Sequence, residues 1–320
     1  DVYSAGGLGN NPKFGVKVAE GVEPDKILYY VQAMWQTFRA HGNYENRGKA
    51  RTRYMQDVCG GPEGYARAYQ EQLDAVFASG VDLDLHLTPA PVTKQGDGVA
   101  VAGPRVIPQK QPGLYAVAWH PIGGQPDLNT LCALSDALAD MNGTEMRLAP
   151  DETAYIINLT GTEAKKILAL TADGAQTLFE TSVSCIGGAT CQVGMRDSQA
   201  LLRACVDAVR KANIPDGALP QVHISGCPSS CGTHQTGVLG FRGASRLVDG
   251  KPQAGFLLFV GGNAHQGQET MGREVGVLLE KDVPAYLVDL GRTVAAAGQD
   301  FNAWFQANPN GPDAIAEKYL

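Results

Sequence analysis

No apolar run in the sequence approaches the roughly 18 residues that would suggest a membrane span. There is no surplus of positive charge either: Lys and Arg number 26 against 33 Asp and Glu, for a net charge of −7. That balance argues against bulk nucleic-acid binding, which rests on a basic surface. The leader pattern of basic, apolar and small-residue blocks is missing, and the chain opens on Asp1 rather than Met. We therefore expect a soluble, cytoplasmic protein, cut from a longer one. No glycine fingerprint of a nicotinamide or flavin site is present. Cysteine is too sparse for a secreted disulfide scaffold, with seven in 320 residues and an odd count. In a reducing compartment, clustered cysteines point instead to metal or redox chemistry. What the chain does have is 44% hydrophobic residues and 39 Gly. That allows a sizeable core in two or three packing units, with many close backbone approaches.

Three segments are expected: 1–82, 83–170 and 171–320. In the first, Asp1-Val-Tyr-Ser-Ala-Gly-Gly-Leu-Gly9 reads as a strand entering a glycine loop. A helix follows over about 24–40, with Ile27, Val31, Met34, Trp35 and Phe38 as an apolar stripe at helical spacing and Gly42 at its stop. The basic stretch Arg47-Gly-Lys-Ala-Arg-Thr-Arg53 is read as a solvated helix face or as partners for acidic side chains, ahead of an RNA or anion contact. A second helix runs through about Phe77. Residues 83–88 alternate as a short strand does, until Pro89 and Pro91 break the pattern. The second segment reads as a strand at 113–119, a turn at Pro121-Ile-Gly-Gly124, and a helix from Asp127 with Leu128, Leu131, Leu134 and Leu138 on one side. Strands at 146–148 and 154–158 and a helix at 163–170 complete it. Strand–helix–strand–helix at this size fits a small ferredoxin-like α+β layer.

The third segment repeats the opening. Phe256-Leu-Leu-Phe-Val-Gly-Gly-Asn263 again carries an apolar strand to a Gly-Gly pair, and a helix again ends near a glycine. The pairs at Gly6 and Gly261 are 255 residues apart, and the helix stops at Gly42 and Gly298 are 256 apart. Two markers at one spacing suggest an internal duplication whose first copy is mostly upstream, by roughly 250 residues on the repeat logic.

The strongest chemical signal is four cysteines in two pairs. Cys185-Ile-Gly-Gly-Ala-Thr-Cys191 is C-x5-C, and Gly226-Cys227-Pro-Ser-Ser-Cys231-Gly232 is C-x3-C. Each pair sits in a Gly-rich loop after an apolar, strand-like run. Two such loops can surround one tetrahedral object, and small residues between the thiols let backbone N–H groups point at sulfur. Structural zinc pairs are usually spaced C-x2–4-C, which the second pair fits and the first does not. Spacing therefore favours an iron–sulfur cluster and leaves zinc as the alternative. Buried core cysteines would need no glycine loops. Cys205 shares a helix face with Leu201, Leu202, Val206 and Val209 and is expected in the core, as is Cys132; Cys59 is read as a helix-end residue. Asp197 and Ser198 read as the cap of the helix after Cys191.

Cys-x5-Cys followed by Gly-Cys-Pro-x-Ser-Cys-Gly-x-His resembles the sirohaem and 4Fe–4S nitrite and sulfite reductases. Ala5-Gly-Gly-Leu-Gly-Asn-Asn-Pro12, Phe38-Arg-Ala-His-Gly42 and Arg47-Gly-Lys-Ala-Arg51 are similar to the end of that family's first half, and 113–158 to its second ferredoxin-like repeat. The resemblance implies an α+β fold, with a ferredoxin-like repeat plus a mixed α/β domain for sirohaem and the iron–sulfur cluster, within an internally duplicated architecture. It implies that Cys185, Cys191, Cys227 and Cys231 hold the 4Fe–4S cluster, with Cys231 also the axial ligand to sirohaem iron. Gly194, Met195, Gly261, Gly262 and Asn263 match backbone segments that approach the macrocycle. The implied reaction is six-electron reduction of sulfite to sulfide or nitrite to ammonium. A ferredoxin-like donor is implied, and the substrate-binding Arg and Lys belong to an N-terminal half upstream, so this chain alone is expected to be inactive. The alternative function is a non-enzymatic iron–sulfur electron-transfer module or a zinc-binding domain.

Two departures from the family stand out. Where its second repeat reads Arg-Leu-Thr-x-x-Gln-Asn, this chain has Arg147-Leu-Ala-Pro-Asp-Glu152-Thr153. That element is expected to face the cofactor-free side. Sirohaem also carries many carboxylates that need cations; Arg196, Arg242 and Arg246 are candidates, but no basic pocket is evident in a chain of net charge −7. His234 is read as structural, His223 as strand packing and His265 as a lesser cofactor-contact candidate.

Overall fold

The computed structural model describes residues 1–86, 88 and 90–320. They form two units, Asp1–Pro91 and Val92–Leu320. Among the described residues, no helix is long and apolar enough to cross a membrane.

The first unit pairs strand β1 (Val2–Ser4) with β2 (Val16–Ala19) in antiparallel fashion. A 3-10 turn, Pro24–Lys26, leads into helix α1 (Ile27–His41); the one-turn α2 (Met55–Val58) and the long α3 (Pro62–Ala78) follow. Proline inside the first turn suits α3, because the missing N–H would have had no partner there. The core gathers Tyr29, Ala33, Met55, Tyr65, Tyr69, Leu73 and Val76.

The buried face of α1 differs from the expected stripe. Tyr29, Ala33 and Thr37 face inward, while Val31 and Trp35 stay about half exposed, at 51% and 49%. The small side chains of Ala33 and Thr37 allow close approach, and Tyr29 stacks on Phe77 of α3 at 4.6 Å between ring centres. Trp35 is covered by the Arg39 guanidinium at 4.8 Å instead. The expected strand at 83–88 is also not formed over 83–86. The Leu83 N–H donates to the Tyr29 hydroxyl, the Leu85 N–H to the Asp25 carbonyl, and Asp84 pairs with Lys26 at 2.6 Å. These bonds spend the backbone groups on the start of α1. Leu87 and Pro89, which belong to that expected strand and its break, lie outside the described residues.

The second unit holds two sheets. The first is antiparallel, ordered β3-β4-β6-β5, from β3 (Val106–Pro108), β4 (Tyr115–Trp119), β5 (Glu145–Leu148) and β6 (Ala154–Leu159). Helices α4 (Leu128–Ala139) and α5 (Gly161–Leu170) pack against it. Asp127 accepts from the N–H groups of Asn129 and Thr130, and Thr160 with Glu163 forms a full capping box. The start at Asp127 was expected; the second helix, expected from 163, begins two residues earlier at Gly161. Cys132 is exposed, contrary to expectation. It lies two residues from Leu134, nearly opposite it around the helix, and Leu134 and Ala137 occupy the buried side.

The second sheet has the order β11-β10-β9-β8-β7. Its strands are β7 (Val183–Ser184), β8 (Val222–Ser225), β9 (Leu239–Val248), β10 (Lys251–Val260) and β11 (Arg273–Leu279). Strands β7, β8 and β9 run parallel, and β9, β10 and β11 antiparallel. Helices α6 (Ser198–Lys211), α7 (Val283–Ala296), α8 (Phe301–Ala307) and α9 (Gly311–Ala316) supply the rest of its core. Cys205 is fully buried there with Leu201, Leu202, Val206 and Val209. The buried members of the first core fall between Val117 and Ile167, and those of the second between Phe179 and Ala316.

Candidate metal centre

The two cysteine loops leave neighbouring strand ends. Strand β7 lies parallel to β8, with Val183 opposite His223 and Ser184 opposite Ile224. Cys185 follows β7 directly, and Gly226 and Cys227 follow β8. Parallel pairing therefore delivers both loops at the same edge of the sheet, where open sheets with parallel strands place their ligands.

Backbone bonds then fasten one loop to the other. The Cys185 N–H donates to the Ile224 carbonyl at 3.0 Å, and the Met195 and Arg196 N–H groups donate to the Gly226 carbonyl at 3.2 and 3.0 Å. Within the first loop, the Gly188 N–H reaches the Arg196 carbonyl at 2.8 Å and the Cys191 N–H the Gly187 carbonyl at 2.9 Å. Gly226 also donates its N–H to the Cys185 sulfur at 3.2 Å. That approach needs glycine, since a Cβ at 226 would lie 2.4 Å from the Arg196 carbonyl oxygen. The Ser198 hydroxyl lies 3.1 Å from the same sulfur. Ser198 is the first residue of α6, capped by Asp197, so the positive end of that helix adjoins the thiol.

The second loop is braced from β8. His223 Nδ1 lies 2.7 Å from the Thr233 hydroxyl and 3.2 Å from the Gly232 carbonyl, and the Gly232 N–H donates to the Ser225 hydroxyl at 3.0 Å. His223 thus does more than pack: it fixes the turn that follows Cys231. Ser230 and Thr233 hold left-handed φ angles of 61° and 54° on either side of Cys231 and Gly232, an expensive geometry for residues with a Cβ.

All four thiols are free; Cys227 is buried, Cys185 and Cys191 are half-buried and Cys231 is exposed. Burial pushes the Cys231 thiol up, and the charges of Cys185, Cys227 and Cys191 push it further, so the four sense one another. They do not close on a point, however. Among the described residues, no three His, Cys, Asp or Glu side chains are close enough to hold one ion. A tetrahedral zinc, with Zn–S near 2.3 Å, needs sulfurs only about 4 Å apart.

Gly194 and Met195 sit on the first loop, with Met195 half exposed. Gly261, Gly262 and Asn263 end β10 beside the segment that follows Cys231. The Gly261 N–H donates to the Val238 carbonyl, and a Cβ on Gly262 would meet the Gly237 carbonyl oxygen at 2.4 Å. Asn263 pairs with Thr270, and its side chain accepts from the His265 N–H. His234 is fully buried against Phe259 at 4.8 Å between ring centres, and neither ring nitrogen has a partner. Burial holds it well below the usual histidine range, at about 4. Arg196 turns along the sheet to the Ala244 carbonyl, and Arg246 donates to the Val277 and Tyr319 carbonyls.

One feature escaped the sequence reading. Residues 47–54 form no continuous helix: Arg47–Lys49 and Thr52–Tyr54 are separate 3-10 turns. They wall a cavity of about 560 Å³ in the first unit, lined by Asn11, Lys13, His41, Lys49, Arg51 and Tyr54 among others. Among the described residues, Asp57, paired with Lys13, is the only acid lining it, so the cavity carries net positive charge inside an acidic chain. The alternate spacing of Arg47, Lys49, Arg51 and Arg53 was the available signal, because a period of two does not suit a helix.

Residues 1–74 match the family described as the nitrite and sulphite reductase 4Fe-4S domain. That stretch lies in the first unit, and its single cysteine is Cys59. The sulfite reductase (ferredoxin) 1 of Mycolicibacterium paratuberculosis is 26% identical, over 86% of this chain and 49% of its own length. The ferredoxin–nitrite reductase of Synechococcus elongatus is 28% identical, over 82% of this chain and 50% of its own. The solved Mycobacterium tuberculosis NirA protein shares the fold, with a TM-score of 0.72 and 23% identity, covering 89% of this chain and 52% of that one. The chain thus spans about half the length of the curated relatives it matches. With a family-model match at one end and sulfite and nitrite reductases aligned across most of the rest, the chain is similar to the nitrite and sulfite reductases.

Proposed function

We propose that this chain is the cofactor-binding C-terminal part of a reductase that converts sulfite to sulfide or nitrite to ammonium with six electrons. The observation that carries the reading is the delivery of four free thiols by two loops from adjacent parallel strands, with a backbone N–H on the Cys185 sulfur. In this reading Cys185, Cys191, Cys227 and Cys231 hold a 4Fe–4S cluster. The C-x5-C and C-x3-C spacing, of which only the second suits structural zinc, favours the cluster over zinc. Donors aimed at sulfur and a helix N-terminus raise the potential of such a site.

Sirohaem would share Cys231, the exposed thiol of the four, and meet the backbone at Gly194, Met195 and Gly261–Asn263. When bound, the two cofactors supply the electron chemistry, and the protein supplies position and charge. A ferredoxin-like donor is proposed because the relatives carry ferredoxin in their names and no nicotinamide or flavin fingerprint is present.

We read 1–82 as the tail of a first-half domain, 83–170 as a ferredoxin-like repeat and 171–320 as the cofactor domain. In the sheet of the middle segment, β6 lies between β4 and β5, as a split β-α-β requires, and an upstream strand, β3, supplies the remaining edge. Internal duplication gains support from two parallel sequences of elements. After β1 come Gly6 and Gly7, the Gly7–Lys13 bridge, β2, a 3-10 turn and α1. After β10 come Gly261 and Gly262, the Asn263–Thr270 bridge, β11, a 3-10 turn and α7. The two helices begin at Ile27 and Val283, 256 residues apart.

The test is iron and sulfide quantitation with an absorbance spectrum on the anaerobically prepared chain. Iron and sulfide with a brown chromophore support the cluster, and an added chlorin-type band supports sirohaem. Zinc without iron sinks both. The chain alone is expected to reduce neither anion, because the remaining substrate-binding cations belong to the other half; measured turnover would overturn that part.

A further inference from the structure

A second cavity, of about 370 Å³, opens in the second unit where the hairpin between β5 and β6 meets the first cysteine loop. Its rim is apolar. Leu148 is 80% exposed there and Ile186 54%. Its floor is made of acceptors. Gln199 is 5% exposed, and its amide nitrogen donates to the carbonyls of Gly123, Ser184 and Cys185. Three carbonyls around that nitrogen fix the amide orientation, because a flip would set oxygen against oxygen. The Gln199 oxygen therefore points the other way, and it has no partner. Glu152 supplies a second buried oxygen without a partner in the same cavity.

Both lining hydroxyls are engaged. The Thr153 hydroxyl engages His120, and the Ser184 hydroxyl donates to the Cys185 carbonyl. No Lys or Arg lines the cavity among the described residues. Glycine at 123 and 124 makes the room, since Cβ atoms there would lie 2.4 Å from the Gln199 oxygen and 3.0 Å from the Glu152 carboxyl carbon. Glu152 is also held at a left-handed φ of 70°, a strained geometry that keeps its carboxyl in place. An unpartnered buried acceptor costs about 1–3 kcal/mol, and two in one cavity with a carboxylate between apolar walls call for a cationic donor.

We propose that this cavity binds a primary ammonium group on an apolar stem, the ammonium N–H groups meeting Glu152 and Gln199 and the stem lying on Leu148 and Ile186. A free alkylamine and a lysine side chain of a polypeptide share this chemistry. The site uses none of the four cysteine side chains, so it does not depend on the iron–sulfur reading. Burial holds the Glu152 carboxyl up at about 7, where a cation is the natural partner of its ionised form.

The experiment titrates the full chain at pH 8 by calorimetry with n-butylammonium, with n-butanol, and with a Gly/Ser peptide carrying one central lysine or norleucine. Saturable binding of butylammonium, with n-butanol and the norleucine peptide at least roughly tenfold weaker, is expected from one charge-assisted contact. Glu152→Gln should lower affinity by a similar factor while its unfolding midpoint shows that it folds. Leu148→Ser, at an exposed position, should weaken butylammonium and leave methylammonium unchanged. Binding of the lysine peptide alone assigns a polypeptide source, and binding of the free amine assigns a small molecule. Absence of saturable binding by either cation, or equal affinity in wild type and Glu152→Gln, overturns the proposal.

Discussion

Gly226 gives its backbone N–H to the sulfur of Cys185 at 3.2 Å, across 41 positions of sequence. This contact couples the two cysteine loops, because the same glycine accepts from Met195 and Arg196 through its carbonyl. Gly226→Ala puts a Cβ 2.4 Å from the Arg196 carbonyl oxygen, a backbone atom that cannot swing aside. Overpacking of this kind costs about 1–3 kcal/mol. We expect a lower urea midpoint and a reduced iron content after anaerobic reconstitution. Wild-type values for both would show that the loops are not held through this residue.

Cys185→Ser and Cys227→Ser should each abolish iron binding, since a three-thiolate site loses one corner of the cage. Cys132→Ser is the control: its thiol is exposed on α4, away from the loops, and should leave iron per chain unchanged. Full iron content in either loop variant contradicts the ligand assignment, whatever the control does.

The basic cavity of the first unit yields a separate expectation. Lys49→Glu with Arg51→Glu reverses two of its charges at exposed positions, so the fold should be kept. The affinity of the cavity for a small polyanion such as citrate should fall several-fold. Unchanged citrate binding would show that these side chains do not set the charge of the cavity.

How much of this was legible depended on the range of the interaction. The cysteine loops, the helix start at Asp127 and the Asp197 cap are short-range patterns, written within a few residues. The buried face of α1 was not legible, since Val31 and Trp35 are the more hydrophobic residues yet Ala33 and Thr37 face the core. Close packing on α3 decided that, and spacing within one helix carries no information about the size of a neighbour. Arg47–Arg53 failed for a related reason: two 3-10 turns, the first capped by Asn46, replaced the expected helix and turned its charges toward a cavity. The role of His223 needed the fold outright, because its partners lie nine and ten residues on, across a turn.

Glu152 makes stability pH-dependent in an unusual direction. Burial, opposed by a bond from the Ser184 N–H and aided by the neighbouring Asp151 charge, raises its carboxyl to about 7. An unfolded glutamate titrates near 4.3. The folded chain thus keeps a proton that the unfolded chain has lost, so this contribution is complete below about pH 4 and disappears as pH rises through 7. The loss is about 3 kcal/mol at one unit per 1.36 kcal/mol. Glu152→Gln should flatten the fall in urea stability between about pH 4 and 7; an unchanged slope would place the titrating group elsewhere.

His234 sets the opposite limit. Its ring is fully buried with both nitrogens unpartnered, and burial, reinforced by the Arg242 and His223 charges, depresses it to about 4. Unfolded histidine takes its proton near 6.5. Above that value the folded form pays no penalty; between 6.5 and 4 the unfolded chain binds a proton that the folded chain refuses, and about 3 kcal/mol of stability goes. His234→Met keeps an apolar filling against Phe259 and removes both unsatisfied nitrogens. At pH 7 the variant should match or exceed the wild-type urea midpoint, and the acid limb between pH 6 and 4 should become shallower. A loss of several kcal/mol at pH 7 would show instead that the imidazole holds a partner in solution, and the buried ring would then have to be counted as part of the polar architecture behind Cys231.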